Sequence, residues 1–210
     1  MLKSNAVRLD NLWRELALGV STRGTMKVDH PDSVYYATMP YAAIRLVLRL
    51  LALRPTDVFV DIGCGKGRVL CSAARHEVAG VVGIDISASL CATATLNARR
   101  LRGRRAPIYV HHAPAQEFDY TGATVFFLFN PFGADTLDQV LTKIHGDVGD
   151  RTVRFAYAVP TFKDVFGDHT WLEPYRPRAA RRRGAAVENL VTFFRTRSEV
   201  AARWRPGPAS

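Results

Sequence analysis

Cysteine is scarce in this chain. There are three, at positions 64, 71 and 91, an odd number with no C-x-x-C spacing. That excludes a disulfide framework and gives no zinc-ligand pattern, and reduced thiols point to a cytoplasmic compartment. Long apolar runs are missing as well. The longest, around residues 41–53, is broken by Arg45 and Arg49, short of the roughly 18 residues a membrane span needs. The first twenty residues lack the apolar core and cleavage site of a signal peptide. A cytoplasmic, non-membrane protein is expected. Lysine is rare: five of the 29 basic residues, at 3, 27, 66, 143 and 163, the other 24 being Arg. Acidic residues number only 19, which leaves a net charge of +10.

What is present is one core's worth of apolar mass. The 210 residues are 48% hydrophobic and 23% charged, the balance of a single globular domain. The basic excess is compatible with an anionic partner, or with an Arg-rich solvated surface. Two clusters, ARRLRGRR (98–105) and RPRAARRRG (176–184), hold five Arg each. Aromatic side chains are sparse around the second, with only Tyr175 beside it, so nucleic acid is the less favoured substrate.

The pattern along the chain alternates strand and helix. Residues 5–18 carry Leu9, Leu12, Trp13 and Leu16 at helical spacing, which predicts a short amphipathic helix. Pro40 opens a second helix. Strands are predicted at 57–63, 80–86, 106–112, 124–130 and 152–159, with helices at 67–78, from Ser87 to about 100, and at 134–145. Two late strands, 170–175 and 190–196, close the sheet as an antiparallel edge pair. The expected fold is α/β: a doubly wound, mostly parallel sheet with helices on both faces. Residues 1–39 form an N-terminal helix and loop, 40–200 the main domain, and 201–210 a disordered tail.

The segment DVFVDIGCGKGR is the most informative. A buried strand runs into Gly63, Gly65 and Gly67 and then into a helix, the place where open α/β sheets bind nucleotide-like ligands. The spacing fits neither the dinucleotide fingerprint, whose third glycine would fall on Arg68, nor a phosphate-binding loop, since Lys66 is followed by glycine. A second feature joins it. Asp85 closes the next strand, where a carboxylate can accept both ribose hydroxyls of an adenosine.

D-x-G-x-G-x-G after the first strand, the acid closing the second and Asn130-Pro131-Phe132 after the fourth resemble the class I S-adenosylmethionine-dependent methyltransferases. The likeness covers about residues 35–160. VYYATMPY followed by GCGKGRV is similar to a group of small bacterial proteins of that class with GKGR and NPFG motifs, and more distantly to the Rossmann-type histone lysine methyltransferases. The resemblance implies seven strands with the last antiparallel, and S-adenosylmethionine as cofactor. Gly63, Gly65 and Gly67 would line the methionine end and ribose, Asp61 would reach the amino group, and Asp85 would hold the ribose hydroxyls. Residues 113–119 resemble the adenine-binding segment but read Ala-Pro-Ala, so Gln116 or backbone groups would substitute. Tyr36 and Thr38 resemble a cofactor-covering loop. Lys66 and Arg68 would meet the cofactor carboxylate or turn to solvent.

Asn130-Pro131-Phe132-Gly133 resembles the N-P-P-[YF] of amino-methylating enzymes, one proline short. Asn130 can accept a hydrogen bond from an amine and orient its lone pair, and Phe132 can stack on a planar or cationic group. The two are the catalytic candidates, with Asn130 also beside the cofactor. The implied function is methyl transfer to a nitrogen of a small molecule or protein side chain. Intramolecular cyclisation of the cofactor, or a nucleic-acid-binding or nucleic-acid-methylating protein, are the alternatives. No general base and no metal-ligand spacing stands out.

Overall fold

A computed structural model describes residues 2–24, 38–177 and 190–197. Seven strands form one sheet: β1 Val58–Ile62, β2 Gly80–Asp85, β3 Ile108–His112, β4 Val125–Phe129, β5 Arg154–Ala158, β6 Leu172–Pro174 and β7 Val191–Thr196. Their order across the sheet is β3-β2-β1-β4-β5-β7-β6. The first five are mutually parallel, and β7 runs antiparallel between β5 and β6. The chain order thus reverses between β1 and β4, a topological switch point whose crevice lies at the carboxyl ends of the strands.

The central strands are apolar on both faces because helices cover both. Phe59, Val81, Val125 and Phe127 face one half of the core, with Ile44, Leu48 and Leu51 of α2 (Tyr41–Leu51) and Leu70 and Cys71 of α3 (Arg68–Ala73). Val60, Ile62, Phe126 and Phe155 face the other half, with Leu137, Val140, Leu141 and Ile144 of α5 (Ala134–Val148). Helix α4 (Ala88–Arg100) starts at Ser87, whose hydroxyl accepts the Leu90 amide as a cap should. A short helix, α6 (Lys163–Asp168), follows β5. Its six residues carry too few apolar positions for periodicity to reveal it.

The N-terminal helix α1 spans Leu2–Leu18. Its apolar stripe points outward: Leu9, Trp13 and Leu16 are 66, 67 and 66% exposed. The inward face carries Asn11, Glu15 and Leu18. Glu15 is only 2% exposed and ion-pairs with Arg68, and the Asn11 Oδ1 accepts the Tyr41 amide. Directional polar contacts set the rotation of this helix. Spacing alone reads only where apolar residues lie relative to one another.

Tyr36 and most of the second Arg cluster, Arg178 and Arg181–Arg183, lie outside the described residues, as does the expected tail 201–210. Of the first cluster, Arg99, Arg100, Arg102, Arg104 and Arg105 are exposed.

Candidate active site

The site is built from the carboxyl ends of β1, β2 and β4. After Ile62 the chain turns through Gly63, Gly65 and Gly67, with φ of 76°, 54° and 80°, a region that side chains rarely enter. The amides of Gly63 and Cys64 both donate to the Ile84 carbonyl, which ties the turn to the end of β2. Gly67 then leads into α3.

Two carboxylates flank the turn. Asp61, at 3% exposure, is buried in β1, and its Oδ2 has no hydrogen-bond partner among the described residues. Burial, with the nearby Asp85 charge in addition, pushes its pKa well above the usual carboxylate range. Asp85 accepts the Gly65 amide on Oδ2 at 2.8 Å and the Ser87 amide on Oδ1 at 2.9 Å. Burial raises its pKa too, and those two amides pull it back. Each oxygen keeps a second lone pair. Asp85 thus braces the glycine turn while still offering acceptors at the crevice. The Ala113 amide donates to the Asp85 carbonyl, which brings residues 113–117 alongside.

β4 delivers the second motif to the first. A Cβ placed on Gly63 would lie 2.5 Å from the Pro131 Cβ, so the Asn-Pro-Phe segment rests against the glycine turn. Asn130 has φ of 42°, a strained setting for a residue with a side chain. The Tyr157 hydroxyl, from β5, donates to Asn130 Oδ1 at 2.9 Å and itself accepts the Phe162 amide at 3.4 Å. A phenol that accepts from a backbone amide turns its own proton to the remaining acceptor, which fixes the carboxamide orientation. Burial raises the Tyr157 pKa, so it serves as a donor and not as a base.

Comparisons with known proteins agree with this arrangement. Residues 59–146 match the model of a methyltransferase domain. Over 151 residues the chain is 28% identical to a histone-lysine N-methyltransferase, H3 lysine-79 specific, of Dictyostelium discoideum. That match takes in 65% of this chain and 8% of the longer protein. An RNA methyltransferase from Salinibacter ruber, crystallised with S-adenosyl-L-homocysteine, is 24% identical and superposes with a TM-score of 0.52, covering 76% of this chain and 92% of its own. A SAM-dependent O-methyltransferase from Thermotoga maritima reaches 0.57 at 17% identity, covering 77% of this chain and 67% of its own. Residues 59–146 thus carry a methyltransferase domain, set in a class I, Rossmann-type fold.

The cofactor of the class is S-adenosylmethionine, and the residues fit it. The unpartnered Asp61 Oδ2 belongs to a buried carboxyl whose ionised form a cofactor ammonium would stabilise. The glycine turn leaves backbone where a side chain would obstruct a ligand. Asp85 retains acceptors for a ribose.

Other sequence candidates fall as follows. Thr38 is half-buried next to Met39. Gln116 is half-buried in the short turn Ala115–Glu117. Phe132 packs against the α5 side of the core together with Phe162 and Val165. Its ring is half-buried there, following Pro131 at the edge of the glycine turn. Neither of the two roles expected for Lys66 and Arg68 describes Arg68. It is 4% exposed and points down into the protein, while Lys66 donates to the Arg23 carbonyl at 2.8 Å. Sequence reasoning missed Tyr157, Glu15 and Asn97. Tyr157 reads as an ordinary strand aromatic in RFAYA, and no local signal pairs it with Asn130.

Proposed function

We propose that the protein transfers a methyl group from S-adenosylmethionine to a nitrogen of a small molecule or a protein side chain. The observation that carries this reading is the contact between the two motifs. Pro131 sits on Gly63, so the Asn130 carboxamide stands at the edge of the cofactor turn with Tyr157 holding its orientation. S-adenosylmethionine supplies an electrophilic methyl on a sulfonium.

The protein's residues supply placement. Asp61 holds the amino group of the cofactor's methionine end and Asp85 its ribose, and the glycine turn lets the ligand approach the backbone. Asn130 Oδ1 keeps one lone pair after bonding Tyr157, and this accepts an N–H of the incoming amine and aims its nitrogen for in-line attack. The amine must be neutral to react. Desolvation on docking lowers its pKa, and the proton leaves to water, as no described side chain at this edge is fitted to take it. The lysine-specific relative supports an amine acceptor on a protein.

The test uses S-adenosylmethionine carrying a deuterated methyl group, offered with lysine-bearing peptides, small primary amines and total RNA, with products read by mass spectrometry. Label on an amine nitrogen is expected, and Asn130→Ala should lower turnover roughly a hundredfold with little change in cofactor affinity. Label confined to oxygen, carbon or RNA overturns the reading.

A further inference from the structure

Arg68 is the last residue of the GKGR run and the first of α3, and it is wholly engaged below the glycine turn. Its Nη2 ion-pairs with Glu15 Oε1 of α1 at 2.9 Å, with the partners 4 and 2% exposed. Its Nε donates to Thr22 Oγ1 at 2.7 Å and its Nη1 to the Met39 carbonyl at 3.0 Å. The guanidinium lies over the Tyr41 ring, 4.8 Å from its centroid. Glu15 completes the set: Oε1 accepts the Thr22 amide and hydroxyl, and Oε2 accepts Arg23 Nε at 2.8 Å. One guanidinium thus grips the chain on both sides of residues 25–37, at Thr22 and at Met39.

A second bridge runs parallel. Asn97 of α4 accepts the Ser21 amide on Oδ1, and its Nδ2 donates to both the Ser21 and Lys66 carbonyls, all at 2.9 Å. Lys66 in turn reaches the Arg23 carbonyl. Residues 21–23 are therefore stitched to 66–68 from two directions.

Stability alone does not call for this arrangement. A buried ion pair is often matched or bettered by apolar residues of similar volume. The start of a helix is also an electrostatically poor place for a cation. What the pair supplies is direction. A guanidinium fork and a carboxylate fix the distance and angle between α1 and the glycine turn, which apolar packing would leave loose.

We propose that Glu15 and Arg68 are positioning residues for the cofactor turn, so that α1 and residues 21–23 are a working part of the cofactor site. The pair holds Lys66 and Gly67 where the turn can receive the ligand, and the turn loosens when the pair is lost. The proposal rests on the methyltransferase reading only for the identity of the ligand.

The full chain is tested with S-adenosylhomocysteine as the probe, by calorimetry, alongside hydrogen exchange without ligand. Thr22→Val removes a single hydroxyl from the network and should weaken binding about fivefold. The double variant Glu15→Leu/Arg68→Met replaces the pair with apolar volume. It should unfold within a few degrees of the parent yet bind at least tenfold more weakly, and Arg68→Lys should restore only part of the loss. Amide exchange at 21–23 and 64–68 should rise together in both the Thr22 and the double variant. Parental affinity and parental protection in Thr22→Val overturn the proposal, as they do in a folded double variant. If the double variant does not fold, Thr22→Val decides alone. A parent that binds no S-adenosylhomocysteine overturns the cofactor reading instead, and exchange in the free protein still reads the network.

Discussion

Asp61 is the residue on which stability and binding pull in opposite directions. Below the ordinary carboxyl pKa of about 4, Asp61 holds a proton whether the chain is folded or not. Above it the unfolded chain ionises while the buried carboxyl keeps its proton, because burial raises the folded pKa. The ligand-free protein therefore loses stability as pH rises from about 4 toward the folded pKa. Asp61→Asn should remove that slope and make the free protein more stable at neutral pH, as denaturant titrations across pH would show. The same change should weaken S-adenosylhomocysteine binding by about 1.5–3 kcal/mol, the worth of a hydrogen bond to a charged group. In the parent, affinity should rise with pH over that window, because only the ionised carboxylate complements an ammonium. Calorimetry in buffers of different ionisation enthalpy should detect the released proton.

The elements show which contacts decide placement. Gly63 joins β1 to the turn, with φ of 76° and the Pro131 ring 2.5 Å from where a Cβ would stand. Gly63→Ala meets both the left-handed backbone penalty and a rigid neighbour, so a loss of about 1–3 kcal/mol is expected. It should also displace Asn130, so cofactor affinity and turnover should fall together, which separates it from Asn130→Ala. Helix α1 supplies a contrast within 17 residues. Trp13→Ser, on the outward stripe, should change stability by less than about 0.5 kcal/mol. Glu15→Ala leaves Arg68 buried without its partner and should cost about 3–5 kcal/mol. Urea titrations of the two variants measure the difference directly, and a Trp13 cost equal to that of Glu15 would contradict the rotation of the helix.

At the scale of the whole molecule, the site belongs to the crevice where strand order reverses, so a ligand there touches β1, β2, β4 and their loops together. S-adenosylhomocysteine at 100 times its Kd should add about 2.7 kcal/mol to stability by mass action, seen as a rise in Tm, while NAD and ATP should leave Tm unchanged. The charge of +10 is carried in part by exposed arginines at the turn between α4 and β3. This turn lies at the opposite edge of the sheet from the glycine turn, since α4 leaves the carboxyl end of β2 and returns to the amino end of β3. An electrostatic attraction there would act at a distance from the chemistry. Gel-shift titrations near physiological salt should show no tight RNA or DNA binding.

Much of this protein was written locally. The β/α alternation, the Ser87 cap, the glycine turn and Asp85 are short-range patterns, each with its own steric or hydrogen-bonding requirement, and they could be read from residues a few positions apart. The apolar run TVFFLFN named a strand buried on both faces because only a covered central strand can be apolar throughout. The tertiary structure decided what depends on distant residues meeting. Pro131 against Gly63, Tyr157 on Asn130, and Arg68 inside a cage made by Glu15, Thr22 and Met39 all join segments separated by up to 68 positions. The outward rotation of α1 is of the same kind. Periodicity fixes which side chains share a face, but which face turns inward is settled by partners elsewhere in the chain. Here those partners are the Tyr41 amide and a buried guanidinium, which need Asn11 and Glu15.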